Sequence, residues 1–527
     1  MIPLTIARIA EIVGGTLADI TPAEAAQRRV TGTVEFDSRA VTEGGLFLAL
    51  PGARADGHDF AAAAVEAGAV AVLAARPVGV PAIVVPAAAA SDAQSGAFEH
   101  DTDGSGAAVL AALAKLASAV AAELVEGGLT IIGLTGSSGK TSTKDLIAAV
   151  LRPLGEVVAP PGSFNNELGH PWTVLRAGED TDFLVLEMSA RHPGNIAALA
   201  AIARPSIAAV LNVGTAHLGE FGSREIIAET KSELVQALPV SGVAVLNADD
   251  PLVAAMDAKT VARVVRVGRA GHTAESTMRL RNEAEEERGD RGLDVRAENI
   301  ELDELARPRF TMVTATGRAE VQLAVHGEHQ VSNALSAAAI ALECGASLPQ
   351  VAEALAGAGP TSRHRMEVRV RADGVTVIND AYNANPESMR AGLQALAVMA
   401  RQQQNRSWAV LGEMGELGDE SITEHDRVGR LAVRLDISRL VVVGTGRPMS
   451  AMHHGAVMEG SWGSESVMVP DADAALALLR AELQPGDVVL VKASNAAGLG
   501  ALAEALAEST TGPEAGAERG GQDVADA

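Results

Sequence analysis

Short apolar runs, each closed by turn residues, recur along the chain and set its expected architecture. Residues 129–134, Phe183–Glu187, 207–212 and Val243–Asn247 are brief, buried in character and separated by helical stretches, which predicts a mostly parallel sheet with helices on both faces. Ahead of them, strand-like runs at 45–49, 69–73 and 82–85 alternate with helical stretches such as 58–67, the pattern of a smaller α/β unit. Residues 87–106 lose apolar periodicity and collect Ser, Asp and Gly, so a flexible insertion is expected before a helix at 107–125, with a boundary near Gly127-Gly128. Residues 274–292 are charged with both signs and read as an exposed loop. After a helix at 331–342 and a break at 357–360, strands at 375–379, 408–412, 440–444 and 488–491 begin a third rhythm. The fold class expected is therefore α/β in three domains: a small N-terminal domain at 1–128, a central doubly wound parallel-sheet domain at 129–360 and a C-terminal Rossmann-like domain at 361–507. The acidic stretch 508–527 is expected to be disordered.

Composition narrows the partners. A chain of 527 residues is too long for one ordinary core and fits about three domains at roughly 150 residues each. With 42 Lys plus Arg against 67 Asp plus Glu, the net charge is −25, and no basic stripe interrupts it, so no nucleic-acid partner is expected. Cys344 is the single cysteine, which excludes a disulfide framework or a cysteine-bound zinc and fits a reducing, cytoplasmic setting. Any metal must then be held by oxygen and imidazole ligands. The first ten residues carry one arginine and no long apolar core, so no secretory leader is expected. The apolar stretches 61–75 and 107–122 are alanine-rich and broken by Glu66 and Lys115, and no membrane span is expected from them. A monomer is expected.

The most specific local chemistry is Gly133-Leu134-Thr135-Gly136-Ser137-Ser138-Gly139-Lys140-Thr141-Ser142-Thr143, an apolar strand feeding a glycine-punctuated turn that opens a helix at Lys140. Glycines let backbone N–H groups converge on phosphates, the helix N-terminus adds its positive dipole end, Lys140 a point charge and Thr141 a magnesium-facing hydroxyl. The spacing is a variant of the Walker pattern, because Leu134 stands five before Gly139 and the nearest glycines are Gly133 and Gly136. The group Gly136, Ser137, Ser138, Gly139, Lys140, Thr141 and Ser142 is the expected phosphate-binding set for a nucleoside triphosphate.

Downstream, Glu187 ends an apolar strand, where a phosphate-loop protein places an acid near magnesium; a solvated strand-end glutamate is the plainer reading. His217 follows Leu211-Asn212-Val213-Gly214-Thr215-Ala216, and a lone histidine there is more often a packed or capping residue than a ligand. Lys231, within Glu229-Thr230-Lys231-Ser232-Glu233, reads by itself as a helix-surface lysine.

Four segments nevertheless come in a distinctive order: the loop Thr135 to Thr141, then Ser163-Phe164-Asn165-Asn166-Glu167-Leu168-Gly169, Asn212-Val213-Gly214-Thr215-Ala216-His217-Leu218, and Asp380-Ala381-Tyr382-Asn383-Ala384-Asn385-Pro386. Together they resemble the Mur ligase family over about residues 4–506, and the Tyr382 to Pro386 run is similar to the branch that adds D-alanyl-D-alanine. Asp37-Ser38-Arg39, with Gly44 to Phe47 and Asp56-Gly57-His58, is similar to that family's nucleotide-sugar-binding N-terminal domain.

The resemblance implies an ATP- and Mg2+-dependent amide ligase with the small-molecule substrates UDP-N-acetylmuramoyl-tripeptide and D-alanyl-D-alanine. It implies catalytic roles for Lys140, Glu187, His217 and Lys231, one magnesium held by Thr141 and Glu187, and a second held by His217 and a carbamylated Lys231. Asn333 would lie at the adenine, Arg365 at the nucleotide phosphates and Asp380 at the ribose, with closure of the third domain on the second. Ser38, Arg39, Asn165, Asn166, Ser189, Tyr382, Asn383 and Asn385 would face the other substrates. Three positions depart from the family pattern: Ser189 replaces a glycine, Glu413 an aspartate, and Asn495 an arginine that would pair bidentately with a carboxylate. A ligase adding a diamino acid, or a non-catalytic nucleotide-binding module of the same fold, are the alternatives.

Overall fold

The computed structural model describes residues 1–52, 55–87, 101–215, 218–270, 292–460 and 465–508. His217, most of the insertion expected at 87–106, nearly all of the loop expected at 274–292 and the tail beyond 508 lie outside the described residues. The chain divides into two compact units, one of Met1–Arg365 with Asn385–Ala391 and Gly415–Ser421, the other of Met366–Ala384, Gly392–Met414 and Ile422–Ala527.

The first unit holds two large sheets. The five-stranded one runs Thr16–Ala18, Ala82–Val84, Ala69–Ala74, Gly45–Leu48, Val34–Glu35, parallel except for its first pair. The nine-stranded one runs Gly317–Gln322, Pro308–Thr314, Val295–Leu302, Arg263–Arg269, Val243–Asn247, Ile207–Val210, Thr130–Thr135, Phe183–Glu187, Val157–Val158. It is parallel from Val295–Leu302 onward, as the apolar runs predict, but its first three strands pair antiparallel. That extension escapes an apolar-run reading because these edge strands alternate polar and apolar residues: Arg296 and Glu298 flank the buried Ala297.

Alternation along the parallel strands splits their side chains between two cores. Ile132, Leu134, Val185 and Val245 face one side, against Ile147 of the helix Lys140–Leu151 and Leu335 of the helix Gln330–Glu343. Ile131, Leu184, Leu186 and Leu246 face the other, in a core continuous through Leu113 and Leu116 to Ile6, Leu73 and Ile83 near the N-terminus. The helix carrying Leu113, Ser105–Glu126, outruns the expected 107–125 and is long and apolar enough, by length and composition, to cross a bilayer. One face of it, including Val109, Leu113, Leu116 and Val120, is part of that core.

The second unit is a six-stranded sheet in the order Glu367–Val370, Thr376–Asn379, Val488–Lys492, Ser407–Leu411, Arg439–Val443, Ser466–Val469. Only the first pair is antiparallel. Trp408, fully buried, anchors its core with Val441 and Leu479.

Candidate active site

Strand Thr130–Thr135 runs between Ile207–Val210 and Phe183–Glu187, so its C-terminal end opens beside theirs, where ligands gather in a doubly wound sheet. Two glycines of the loop that follows are obligatory. A Cβ on Gly136 would lie 2.9 Å from Leu211 Cβ, and one on Gly139, which has φ +79°, 2.7 Å from Asn333 Oδ1. Asn333 thus packs directly on the phosphate loop, with Nδ2 donating to Gln330 Oε1 at 2.9 Å. Lys140 opens the helix Lys140–Leu151 and folds back, its Nζ donating to the Gly136 carbonyl at 2.7 Å.

One helical position on, the buried Thr141 hydroxyl donates to Glu187 Oε2 at 2.9 Å and accepts from Arg365 at 3.2 Å. The other oxygen of Glu187 accepts from Ser163 Oγ at 2.7 Å and Asn165 Nδ2 at 2.6 Å. Glu187 is buried, yet every one of these donors is neutral and no ion pair reaches it among the described residues. A carboxylate desolvated without a cation costs several kcal/mol. A divalent ion beside Thr141 and Glu187 would supply the missing charge through oxygen ligands, so these residues fit magnesium. Among the described residues no group of three His, Cys, Asp or Glu side chains is placed to hold a metal.

Lys231 corrects its reading as a surface lysine. On the helix Arg224–Gln236 it is only 6% exposed, with no hydrogen bond or ion pair among the described residues. Burial, reinforced by the charge of Lys140, holds its pKa well below the usual lysine value. Lys140 is likewise lowered by burial, an effect that Glu187 partly offsets. His217 lies outside the described residues, but the segment leading to it is held: Val213 O accepts from Arg224 at 2.7 Å, and Thr215 donates through N–H and Oγ1 to Glu387 at 2.8 and 3.0 Å.

The remaining expected residues are distributed more widely. Ser142 is half-buried in the first turn of the phosphate-loop helix, and Ser189 N–H donates to the Asn165 carbonyl at 3.0 Å. Asn166 Oδ1 accepts from Gly169 N–H at 2.9 Å, tying off the turn before the next helix. Asn385 accepts from Ser388 N–H at 2.8 Å, capping Pro386–Gln403, and its Nδ2 lies 3.4 Å from the Ser137 carbonyl. Ser38 is half-buried, and the exposed Arg39 pairs with Asp37 at 2.7 Å; the hydrogen bond from Arg39 lowers the Asp37 pKa to about 2. In the second unit, Asp380 accepts from Met366 N–H at 3.0 Å and from the fully buried Lys492 at 2.6 Å. Lys492 also reaches the carbonyl of the exposed Asn383 at 3.0 Å, and Tyr382 beside it is half-buried. Asn495, exposed, opens a short turn at Asn495–Ala497.

Four supporting residues have no assigned role in the sequence reading: Ser163, Asn212, Lys492 and Lys144. The first three stand inside or beside quoted segments. Lys144 follows Lys140 by one helical turn, is buried, and donates to the carbonyls of Pro160 and Gly162, fastening the segment that brings Ser163 and Asn165 to Glu187.

A phosphate loop at the end of a central parallel strand, with a buried acid beside its threonine, places the molecule in the phosphate-loop class of α/β proteins. More narrowly, the chain belongs to the Mur ligase family: residues 32–120 match its catalytic domain, 134–341 its middle domain and 364–495 its glutamate ligase domain. It is 70% identical to the UDP-N-acetylmuramoyl-tripeptide--D-alanyl-D-alanine ligase of Mycobacterium tuberculosis H37Rv, over 97% of this chain and 99% of that one. Its structure is similar to MurF from Acinetobacter baumannii, with TM-score 0.77 and 30% identity over 96% of this chain and 99% of that one. It is also similar to MurF ligase from Thermotoga maritima in complex with ADP, with TM-score 0.69 and 27% identity over 91% and 98%.

Proposed function

We propose that this chain is an ATP-dependent ligase that joins D-alanyl-D-alanine to UDP-N-acetylmuramoyl-tripeptide in peptidoglycan precursor synthesis, acting in the cytoplasm. The observation that carries the reading is the meeting of Lys140, Thr141 and Glu187 at the end of the central strand, in a chain that follows relatives of that name along nearly its whole length. The substrate carboxylate attacks the γ-phosphoryl of ATP, forming an acyl phosphate and releasing ADP. The dipeptide amine then attacks the acyl carbon, and phosphate leaves as the amide forms and the amine gives up its proton.

Both partners of the first step are anions, so the site must neutralise charge before they meet. Lys140 and the free N–H groups opening its helix hold the nucleotide phosphates, and the half-buried setting of Lys140 strengthens that attraction. Thr141 and Glu187 would hold one magnesium, which when bound supplies the remaining positive charge. Arg365, in contact with Thr141, adds a guanidinium for the phosphates. Lys231 deprotonates readily because of its burial, and a neutral amine can take up carbon dioxide with loss of a proton. The carbamate so formed, with His217, would give a second ion oxygen and imidazole ligands. Asn333 would border the adenine and Asp380 the ribose, while Ser38, Arg39, Asn165, Asn166, Ser189, Tyr382, Asn383 and Asn385 would line the paths of the other substrates.

Incubation with UDP-N-acetylmuramoyl-tripeptide, D-alanyl-D-alanine, ATP and magnesium should release phosphate and ADP in step with a new amide. Phosphate release that ignores the dipeptide would rule the reading out.

A further inference from the structure

The phosphate loop presents its N–H groups in two sets. Those of Ser137 and Ser138 both donate to Asn212 Oδ1 at 2.9 Å. The N–H groups of Gly139, Lys140, Thr141 and Ser142, which open the helix Lys140–Leu151, donate to no acceptor among the described residues. The same Asn212 carboxamide donates through Nδ2 to the Ser138 carbonyl at 3.1 Å, and two residues further Gly214 N–H donates to Ser137 Oγ at 2.8 Å.

A trans peptide is planar, with its C=O and N–H directed oppositely. Asn212 draws the Ser138 carbonyl to its own side, so the N–H of the same peptide, that of Gly139, is turned to the opposite side, where the other free amides gather. Were this peptide to flip, a carbonyl dipole would face the anion in place of an N–H. Gly139, at φ +79° and without a side chain, offers little intrinsic resistance to such a flip. Lys140 performs a similar office two peptides earlier: it takes the Gly136 carbonyl, leaving Ser137 N–H for Asn212.

We infer that Asn212 is a positioning residue for the nucleotide phosphates: its carboxamide orients the Ser138–Gly139 peptide and so decides which loop amides face the ligand. The inference rests on the reading of this loop as the ATP phosphate site. Because the loop lies at the phosphates, loss of Asn212 should act on nucleotide and leave the dipeptide alone.

The test uses the full chain with ADP as the binding probe and ATP and D-alanyl-D-alanine as varied substrates. Asn212→Ala should weaken ADP binding by about tenfold or more and raise KM for ATP in proportion, with KM for the dipeptide within about twofold and the thermal midpoint preserved. Asn212→Asp keeps an acceptor for the two serine amides but loses the donor to the Ser138 carbonyl and adds a charge, and should bind ADP at least as weakly. Asn212→Ala, folded and binding ADP within about twofold of wild type, would overturn the inference; if that variant does not fold, the same result for Asn212→Asp would do so. A wild-type chain that binds no ADP would instead remove the phosphate-site reading itself.

Discussion

Glu187 and His170 show how burial, more than residue type, sets chemistry at single positions. Glu187 is a carboxylate surrounded by hydroxyl and amide donors, a shape that a glutamine can largely keep. Glu187→Gln should therefore shift the metal-free thermal midpoint little, since it removes a buried charge that only Lys140 partly offsets, while turnover falls by about two to three orders of magnitude. Paired melting curves and phosphate-release rates check both halves. His170 is fully buried, and burial, opposed in part by the backbone of Glu187 and Leu199, lowers its pKa to about 4 from 6.5. The unfolded chain then binds the extra proton between those values, so this contribution to stability is complete above 6.5 and is lost as pH falls toward 4. It amounts to at most about 3 kcal/mol. His170→Phe should show a shallower loss of thermal midpoint between pH 7 and pH 5 than wild type. At this scale the sequence was readable where a residue ended an apolar strand, as Glu187 does. Lys231 was misread because its residue type suggested solvent, although Ile227, Leu234 and Val235 put it on the buried face at helical spacing.

Among elements, the helix Lys140–Leu151 does more than begin at a phosphate loop. Through Lys144 it also fixes the segment 160–165, so one helix sets both the loop and two of the donors to Glu187. Lys144→Met should leave the Pro160 and Gly162 carbonyls without this donor, costing about 1–3 kcal/mol, and should raise the magnesium concentration needed for half-maximal turnover. Denaturant melts and a magnesium titration measure the two effects. The parallel strands of the central sheet were legible because burial on both faces makes them uniformly apolar. The antiparallel edge was not: Gly317–Gln322 exposes alternate residues to solvent and carries Arg318, Glu320 and Gln322 there. The register that brings Glu187 beside Leu134, and so near the loop, belongs to strand pairing between distant segments, which a single segment's pattern does not contain.

At the scale of the molecule, each unit has its own core and its own buried charge arrangement. Leu113 is fully buried in the core shared by the N-terminal residues and one face of the nine-stranded sheet. Leu113→Ala should destabilise the first unit by about 2–5 kcal/mol. Lys492→Met should act on the second, where it strands the Asp380 carboxylate in a buried setting at a cost of about 3–5 kcal/mol. Hydrogen exchange followed by peptide should show each change loosening its own unit first. The composition and the three rhythms of apolar runs made three sheets legible, but not that the first two would be welded by the helix Ser105–Glu126.

That shared helix has a practical consequence for building chimaeras from related chains. A graft spliced near residue 128 must match both mating surfaces of an interior made jointly by donor and recipient, and mismatched methyl groups there would leave voids or clashes. A crossover at Arg365–Met366 keeps the second unit whole but carries along Asn385–Ala391 and Gly415–Ser421, which belong to the first, so those two segments must be matched to the recipient.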